Sequence, residues 1–269
     1  MQEFDLDAYL ARIGLDRRPR RDAAGLRALQ VAQLRAIPFE DIDPFLGRTP
    51  EIALPAITAK ILGRGRGGYC FELNTLLAAA LAALGFAPRR AMARVRRADP
   101  KGGPRSHLLI WLDIDGCRWL ADCGFGGPGP LVPLRLDETA PQTAPNGCYR
   151  LRPETETGDR VLERQKPDGA WQALYAFDLA HVADPDIAAA NYLCAHWPEM
   201  PFGNHLMLAG FDGDTRIGLF DRALSRSSAA GETRSRIESR AELAALIARL
   251  GIPLSDAEGA AIWARLEGR

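Results

Sequence analysis

Gly63-Arg64-Gly65-Arg66-Gly67-Gly68-Tyr69-Cys70-Phe71-Glu72-Leu73-Asn74 orders the reading of the whole chain, because a glycine run delivers one thiol to the first turn of a long apolar helix. Backbone N–H groups at a helix start lack partners and carry partial positive charge, which favours the thiolate of a cysteine placed there. Cys70 therefore reads as a nucleophile. Two more residues extend the idea: His107 in Arg105-Ser106-His107-Leu108-Leu109, and Asp122 in Leu120-Ala121-Asp122-Cys123-Gly124-Phe125-Gly126-Gly127. Together they make a candidate Cys-His-Asp triad.

The hairpin that carries His107 and Asp122 allows a geometric check. His107 to Ile114 has strand character, Asp115-Gly116 is a two-residue turn signal, and Cys117 to Asp122 is the return strand. That turn sets Leu109 opposite Asp122, and His107 shares the face of Leu109. The two candidates are then diagonal neighbours roughly 7–8 Å apart along the backbone, within reach of an imidazole and a carboxylate. A slip of one residue would send them to opposite faces. Taken singly, each has an ordinary alternative: a small buried hydrophobe for Cys70, a hydrogen-bonded strand residue for His107, a turn residue for Asp122. The shared face is what favours the chemical reading.

Gly63-x-Gly65-x-x-Gly68 also fits a dinucleotide-binding fingerprint, which needs a preceding strand and an acidic residue about 20 positions later. Pro55 to Lys60 reads as helical or mixed, and no Asp or Glu lies between Glu72 and Asp99. No Gly-Lys-Ser/Thr phosphate loop is present either. The glycines are expected to form a loop that brings backbone close to Cys70 and lets a substrate approach.

With 269 residues and 47% hydrophobic content, the chain has ample core for one large or two to three small globular domains. Lys plus Arg and Asp plus Glu number 34 each, so no global charge draws nucleic acid or an anionic membrane. Arg17 to Arg21 and Arg94 to Arg97 read as solvated faces or loops. Five cysteines without paired spacing suit a reducing compartment, Met1 to Asp5 lacks the basic start of a signal peptide, and Thr75 to Ala87 is too short an apolar run to span a bilayer. Cytoplasmic location is the expectation. Cys117-x5-Cys123 is not a zinc-ligand pair, and no metal is expected.

The patterning divides the chain in three. Residues 1–90 are helix-rich, with helical spacing over Leu6 to Ile13, Ala23 to Ile37 and Tyr69 to Leu84. Residues 91–190 are mostly short apolar runs with turns at Asp115-Gly116, Pro145-Asn146-Gly147 and Pro167-Asp168-Gly169, the pattern of a β meander or barrel. Residues 191–269 are mixed, with strands at Leu206 to Ala209 and Ile217 to Phe220 and an amphipathic helix over Glu242 to Leu250. The helix from Ile187 to Tyr192 bridges the last two segments.

Arg66-Gly67-Gly68-Tyr69-Cys70-Phe71-Glu72-Leu73-Asn74, Ile37-Pro38-Phe39-Glu40-Asp41, Ser106-His107 and Asp122 to Gly127 resemble, in order and spacing, the arylamine N-acetyltransferases. Fainter echoes at Gln142-Thr143, Trp171 to Asp178 and Asn191 to Pro198 carry the resemblance over nearly the whole chain. It implies an α+β fold: a helical first domain with the nucleophile, a β-barrel second domain with His and Asp, and an α/β lid, around a cysteine-protease-like core. It further implies acetyl transfer from acetyl-CoA, used as a co-substrate with no tightly bound cofactor, through a thioester on Cys70 to an arylamine or hydrazine. Family pocket residues carry over to Phe39, Val95, Phe125 and Phe202, and CoA contacts to Gly126 and Gly127. One departure is Met200 in Pro198-Glu199-Met200-Pro201-Phe202, where the family has serine. Two alternatives share the residue order: a macrolactam-forming amide synthase of the same family, and a transglutaminase-like amidase.

Overall fold

The computed structural model describes residues 4–96, 101–228 and 231–267. Arg97, the end of one arginine run, lies outside them. In chain order the elements are α1 (Leu6–Arg12), α2 (Ala23–Ala36), β1 (Phe39–Glu40), α3 (Ile42–Phe45), α4 (Leu54–Thr58), a π-helical turn (Ala59–Gly63) and α5 (Cys70–Ala83). Then come β2 (Arg89–Val95), β3 (Arg105–Ile114), β4 (Cys117–Ala121), β5 (Leu134–Arg135), β6 (Gln142–Ala144), β7 (Gly147–Pro153), β8 (Arg160–Gln165) and β9 (Trp171–Phe177). The chain finishes with α6 (Asp184–His196), β10 (Met207–Asp212), β11 (Thr215–Phe220), β12 (Ala223–Ser228), β13 (Gly231–Arg236), α7 (Arg240–Arg249) and α8 (Asp256–Leu266).

Local chemistry explains the boundaries. Asp5 and Asp22 cap α1 and α2 by accepting from Ala8 N and Gly25 N at 2.9 and 2.8 Å. α2 stops at Ile37 because the following Pro38 forces that residue into an extended conformation, φ −118° and ψ 110°. At the start of α5 the Glu72 carboxylate accepts from the N-cap N–H of Tyr69 at 3.1 Å.

β5-β4-β3-β2-β9-β8-β7-β6 form one antiparallel sheet that curls into a nearly closed barrel. Its two edges are clasped by the Gln142 side chain, which accepts from Arg135 N at 2.8 Å and donates to Arg135 O at 3.0 Å. β3 is buried on both faces, and its neighbours sort by parity: Leu109 and Trp111 pack inside the barrel, while Leu108, Ile110 and Leu112 pack against α5. The β3–β4 turn has Asp115 at φ 52° and Gly116 at φ 77°, both positive, as a type I′ turn requires. The resulting pairs run from Ile114↔Cys117 to Ile110↔Ala121, the register expected from Asp115-Gly116. Leu109 thus faces Asp122, and His107 points with it toward the barrel interior.

The third layer is an antiparallel sheet in the order β1-β10-β11-β12-β13 under α7 and α8. Two elements cross the segments read from patterning. β1, from the helical part, pairs Phe39 with Ala209, and α6, which spans 190/191, buries Ile187, Ala190 and Cys194 in the same cluster as α5. Among the described residues no helix is long and apolar enough to cross a membrane, and no group of three His, Cys, Asp or Glu side chains is arranged to hold a metal ion.

Candidate active site

Asp122 is the hub. Its Oδ1 accepts from Asn74 Nδ2 and Gly124 N, both at 2.9 Å, and its Oδ2 accepts from His107 Nε2 at 2.8 Å and the Tyr175 hydroxyl at 2.9 Å. His107 presents Nε2 to the carboxylate, which leaves Nδ1 for the Cys70 thiol, its other side-chain partner. The Cys70 Sγ also lies 3.7 Å from Ser106 O as a weak donor. All three residues are shielded from water, with exposures of 2% for Cys70, 3% for His107 and 5% for Asp122. The structure therefore brings the three residues singled out in the sequence into one chain of contacts.

The supports come from different elements. Asn74 sits one helical turn after Cys70, so both project from one side of α5. Besides Asp122, it bonds Leu108 O at 2.6 Å and accepts from Cys123 N at 2.8 Å, fixing the strand ends against the nucleophile helix. Gln30 of α2 accepts from Asp122 N at 3.2 Å. A Cβ on Gly124 would fall 2.6 Å from Cys70 Cα, so only glycine permits this close approach. Asn74 was not singled out in the sequence, although its one-turn spacing from Cys70 is a same-face signal; Gln30 and Tyr175 reach the site only through tertiary packing.

Burial alone would push the His107 pKa down. The Asp122 charge and hydrogen bond, with a contribution from Cys70, overcome it and raise the imidazole to about 10. Burial likewise raises Asp122, but the His107 charge and the donors from His107, Asn74 and Gly124 hold it below the ordinary carboxylate range. The pair is thus an imidazolium and a carboxylate at neutral pH.

Beneath the first turn of α5 lies a second ionic cluster. Lys60 of the π-helical turn lies 2.8 Å from Glu72 Oε1 and 2.7 Å from Asp43 Oδ2, while Arg66 lies 2.8 Å from Glu40 Oε1. Burial raises Glu72 to about 7 even with Lys60 opposing it. Two glycines of the run serve close packing. A Cβ on Gly67 would meet Pro38 O at 2.2 Å, one on Gly68 would meet the Glu72 carboxylate at 2.6 Å, and the loop follows helical turns rather than a strand.

Aromatic residues wall the site. Phe125 lies edge-on to His107 at 5.4 Å and to Tyr175 at 5.0 Å, and Tyr175 is 4.9 Å from His107. Phe39, Phe125, Gly126 and Gly127 line one small cavity of about 40 Å³ beside Asp122 and Cys123. Phe202 packs edge-on against Tyr69 at 5.5 Å and is not part of that cavity lining. Val95 ends β2 opposite Tyr175 in the strand pairing. Met200 is buried in the core with α5 and α6.

The class follows from comparison with known proteins: the model of a family described as N-acetyltransferase matches residues 22–258. An arylamine N-acetyltransferase of Mycolicibacterium smegmatis is 36% identical over 98% of this chain and 97% of its own. The solved arylamine N-acetyltransferase of Salmonella typhimurium superposes with a TM-score of 0.90 at 31% identity, covering 100% of both chains. The Mycobacterium marinum enzyme in complex with CoA superposes equally, TM-score 0.90 at 31% identity, over 98% of this chain and 99% of that one. This chain belongs to the arylamine N-acetyltransferase family and is an acyltransferase.

Proposed function

We propose that the protein transfers the acetyl group of acetyl-CoA to an arylamine, arylhydrazine or related amine by a ping-pong route through an acetyl-Cys70 thioester. The observation that carries this reading is the placement of His107 between the Cys70 thiol and the Asp122 carboxylate. The names of the relatives, and the CoA bound to the M. marinum enzyme, support the substrate pair.

In the first half-reaction the Cys70 thiolate attacks the acetyl carbonyl, and the new oxyanion meets N–H groups at the start of α5. The C–S bond to CoA breaks, and the departing thiolate takes the proton held by His107. In the second half-reaction the amine attacks the acetyl-Cys70 carbonyl and gives a proton to His107, and Cys70 leaves as thiolate. Asp122 holds the ring in one orientation and stabilises its charged form in both halves. Phe39, Val95, Phe125 and Phe202 are the acceptor contacts in this reading, and Gly126 and Gly127 lie along the CoA path.

Intact-protein mass spectrometry tests the reaction. Acetyl-CoA alone should add one acetyl group to the enzyme, and an arylamine should remove it. In steady state, double-reciprocal lines at several fixed amine concentrations should be parallel. Intersecting lines, with no acetyl-enzyme, would replace the thioester route by direct transfer in a ternary complex.

A further inference from the structure

One face of α6 is buried through Ile187, Ala190, Asn191, Cys194 and Ala195. Apolar side chains would satisfy that packing at every position, yet Asn191 and Cys194 bring hydrogen-bonding groups, one helical turn apart on the same side. Asn191 accepts from the Tyr69 hydroxyl through Oδ1 and donates to Pro50 O through Nδ2 at 3.0 Å. The Cys194 thiol donates to Ser106 O at 3.5 Å. Tyr69 immediately precedes Cys70, and Ser106 immediately precedes His107. A single helix face thus grips the chain just before the nucleophile and just before the base.

Ser106 can be held this way because it sits in a bulge. The β2–β3 pairing steps from Ala93↔His107 to Arg94↔Arg105, so Ser106 has no opposite residue on β2. Its carbonyl instead meets two thiols, Cys194 at 3.5 Å and Cys70 at 3.7 Å. Past the base, Asn74 of α5 donates to Leu108 O at 2.6 Å. His107 is therefore bracketed, by α6 at the residue before it and by α5 at the residue after it. Tyr69, Ser106, Asn191 and Cys194 are all buried, so each hydrogen bond is made where no water could replace it. Burial, with a contribution from Cys70, pushes the Cys194 thiol up, and it remains a donor while Cys70 acts as a thiolate. α6 is itself anchored at both ends: Arg90 donates to Asp184 at 2.5 Å, and Thr49 Oγ1 lies 2.5 Å from His196 Nε2.

We propose that Asn191 and Cys194 are positioning residues for the acetyl transfer: from one face of α6 they fix the spacing between the turn that carries Cys70 and the bulge that precedes His107. The inference rests on the acetyl-transfer reading of the triad. The two side chains act through Tyr69 and Ser106 rather than on a substrate. Both half-reactions move a proton on or off His107 while Cys70 acts as nucleophile or leaving group. A loosened clamp therefore slows both and leaves the binding of CoA as it was.

Cys194→Ala and Tyr69→Phe each delete one contact. Each is expected to lower kcat at least about tenfold, within the order of 10²-fold that a 1 Å misplacement costs. Iodoacetamide alkylation of Cys70, followed by peptide mass mapping, should slow in parallel, while the Kd for CoA stays at the parent value. Cys194→Ser separates positioning from packing, because its hydroxyl can donate to Ser106 O but lacks the apolar bulk of sulfur. Its Tm should fall as in Cys194→Ala, with kcat and alkylation closer to the parent. Cys194→Ser as slow as Cys194→Ala would make the contact ordinary packing and overturn the proposal. Unchanged kcat and alkylation in Cys194→Ala and Tyr69→Phe, or a loss confined to CoA binding, would overturn it as well. Tyr69→Phe removes a single hydroxyl and carries the same comparison of kcat, alkylation and Kd should Cys194→Ala fail to fold. A parent protein that shows this alkylation pattern but acetylates no amine would refute the acetyl-transfer reading and leave the clamp standing.

Discussion

Asn74 and Asp122 are joined by a 2.9 Å hydrogen bond between a helix and a strand end, and the same Asn74 lies one turn beyond Cys70. One amide therefore ties the position of the nucleophile to that of the carboxylate. The Asp122 oxygens each receive two donors, Asn74 and Gly124 on one, His107 and Tyr175 on the other.

This donor pattern makes Asp122→Asn a severe change, since either orientation of the new amide aims its NH₂ at two donors. Acetylation rate should fall by orders of magnitude, on the scale of the about 10⁴-fold loss seen when a triad carboxylate is made neutral. A near-normal kcat in a folded variant would remove Asp122 from the mechanism.

Cys70→Ala deletes only the thiol of a buried side chain. The variant is expected to keep its circular dichroism spectrum and to gain no acetyl group from acetyl-CoA by mass spectrometry. Turnover in this variant would end the thioester route.

Gly124→Ala tests the close packing of the loop on α5. The added methyl would sit 2.6 Å from Cys70 Cα and 2.8 Å from Asn74 Nδ2, so one side must move. A shift near 1 Å at the nucleophile costs on the order of 10²-fold in rate. Unchanged kcat with unchanged Tm would mean that this contact does not position Cys70.

The His107–Asp122 pair also links stability to pH. His107 gains protons on folding, its pKa rising to about 10 from an ordinary value near 6.5. Its stabilisation is fully present below about pH 6.5 and is lost as pH rises through about 10. Asp122, lowered in the fold, contributes above its ordinary value near 3.8 and loses that contribution as pH falls through its depressed pKa. The Tm advantage of the parent protein over His107→Gln should therefore shrink between pH 6.5 and 10. An advantage that grows over that interval would contradict a buried imidazolium.

Lys60→Met leaves Glu72, Asp43 and Glu40 facing one another without their shared cation. Removing one partner of a buried ionic group costs about 3–5 kcal/mol, read as a lower urea midpoint. A midpoint within experimental error of the parent would show that Arg66 suffices for the cluster.

Where the chain advertises local rules, its fold was readable. The Asp115-Gly116 turn fixes a register, and that register puts His107 and Asp122 on one face. α5 was readable from its apolar run. Long-range pairing was not. β1 is two residues long, and Phe39 finds Ala209 only through the fold. β13 is exposed along its whole length, so it shows no apolar alternation to detect. α8 did carry a signal, Ser255 three residues before Glu258, which forms a capping box. Lys60 drew no reading from the sequence, because a charge alone says nothing about which carboxylates will meet it.

The pairing of Phe39 with Ala209 also imposes an order on biosynthesis. The helix that bears Cys70 is complete early in synthesis, yet the strand holding one wall of its cavity waits for a partner about 170 residues further along. A nascent chain halted before Met207 should therefore expose Phe39 and leave Cys70 open to bulky thiol reagents that the finished protein resists. Equal labelling of halted and finished chains would refute this. One wall of the cavity beside the thiol is thus completed only by a strand made well after the nucleophile helix, so its selectivity is acquired late in translation.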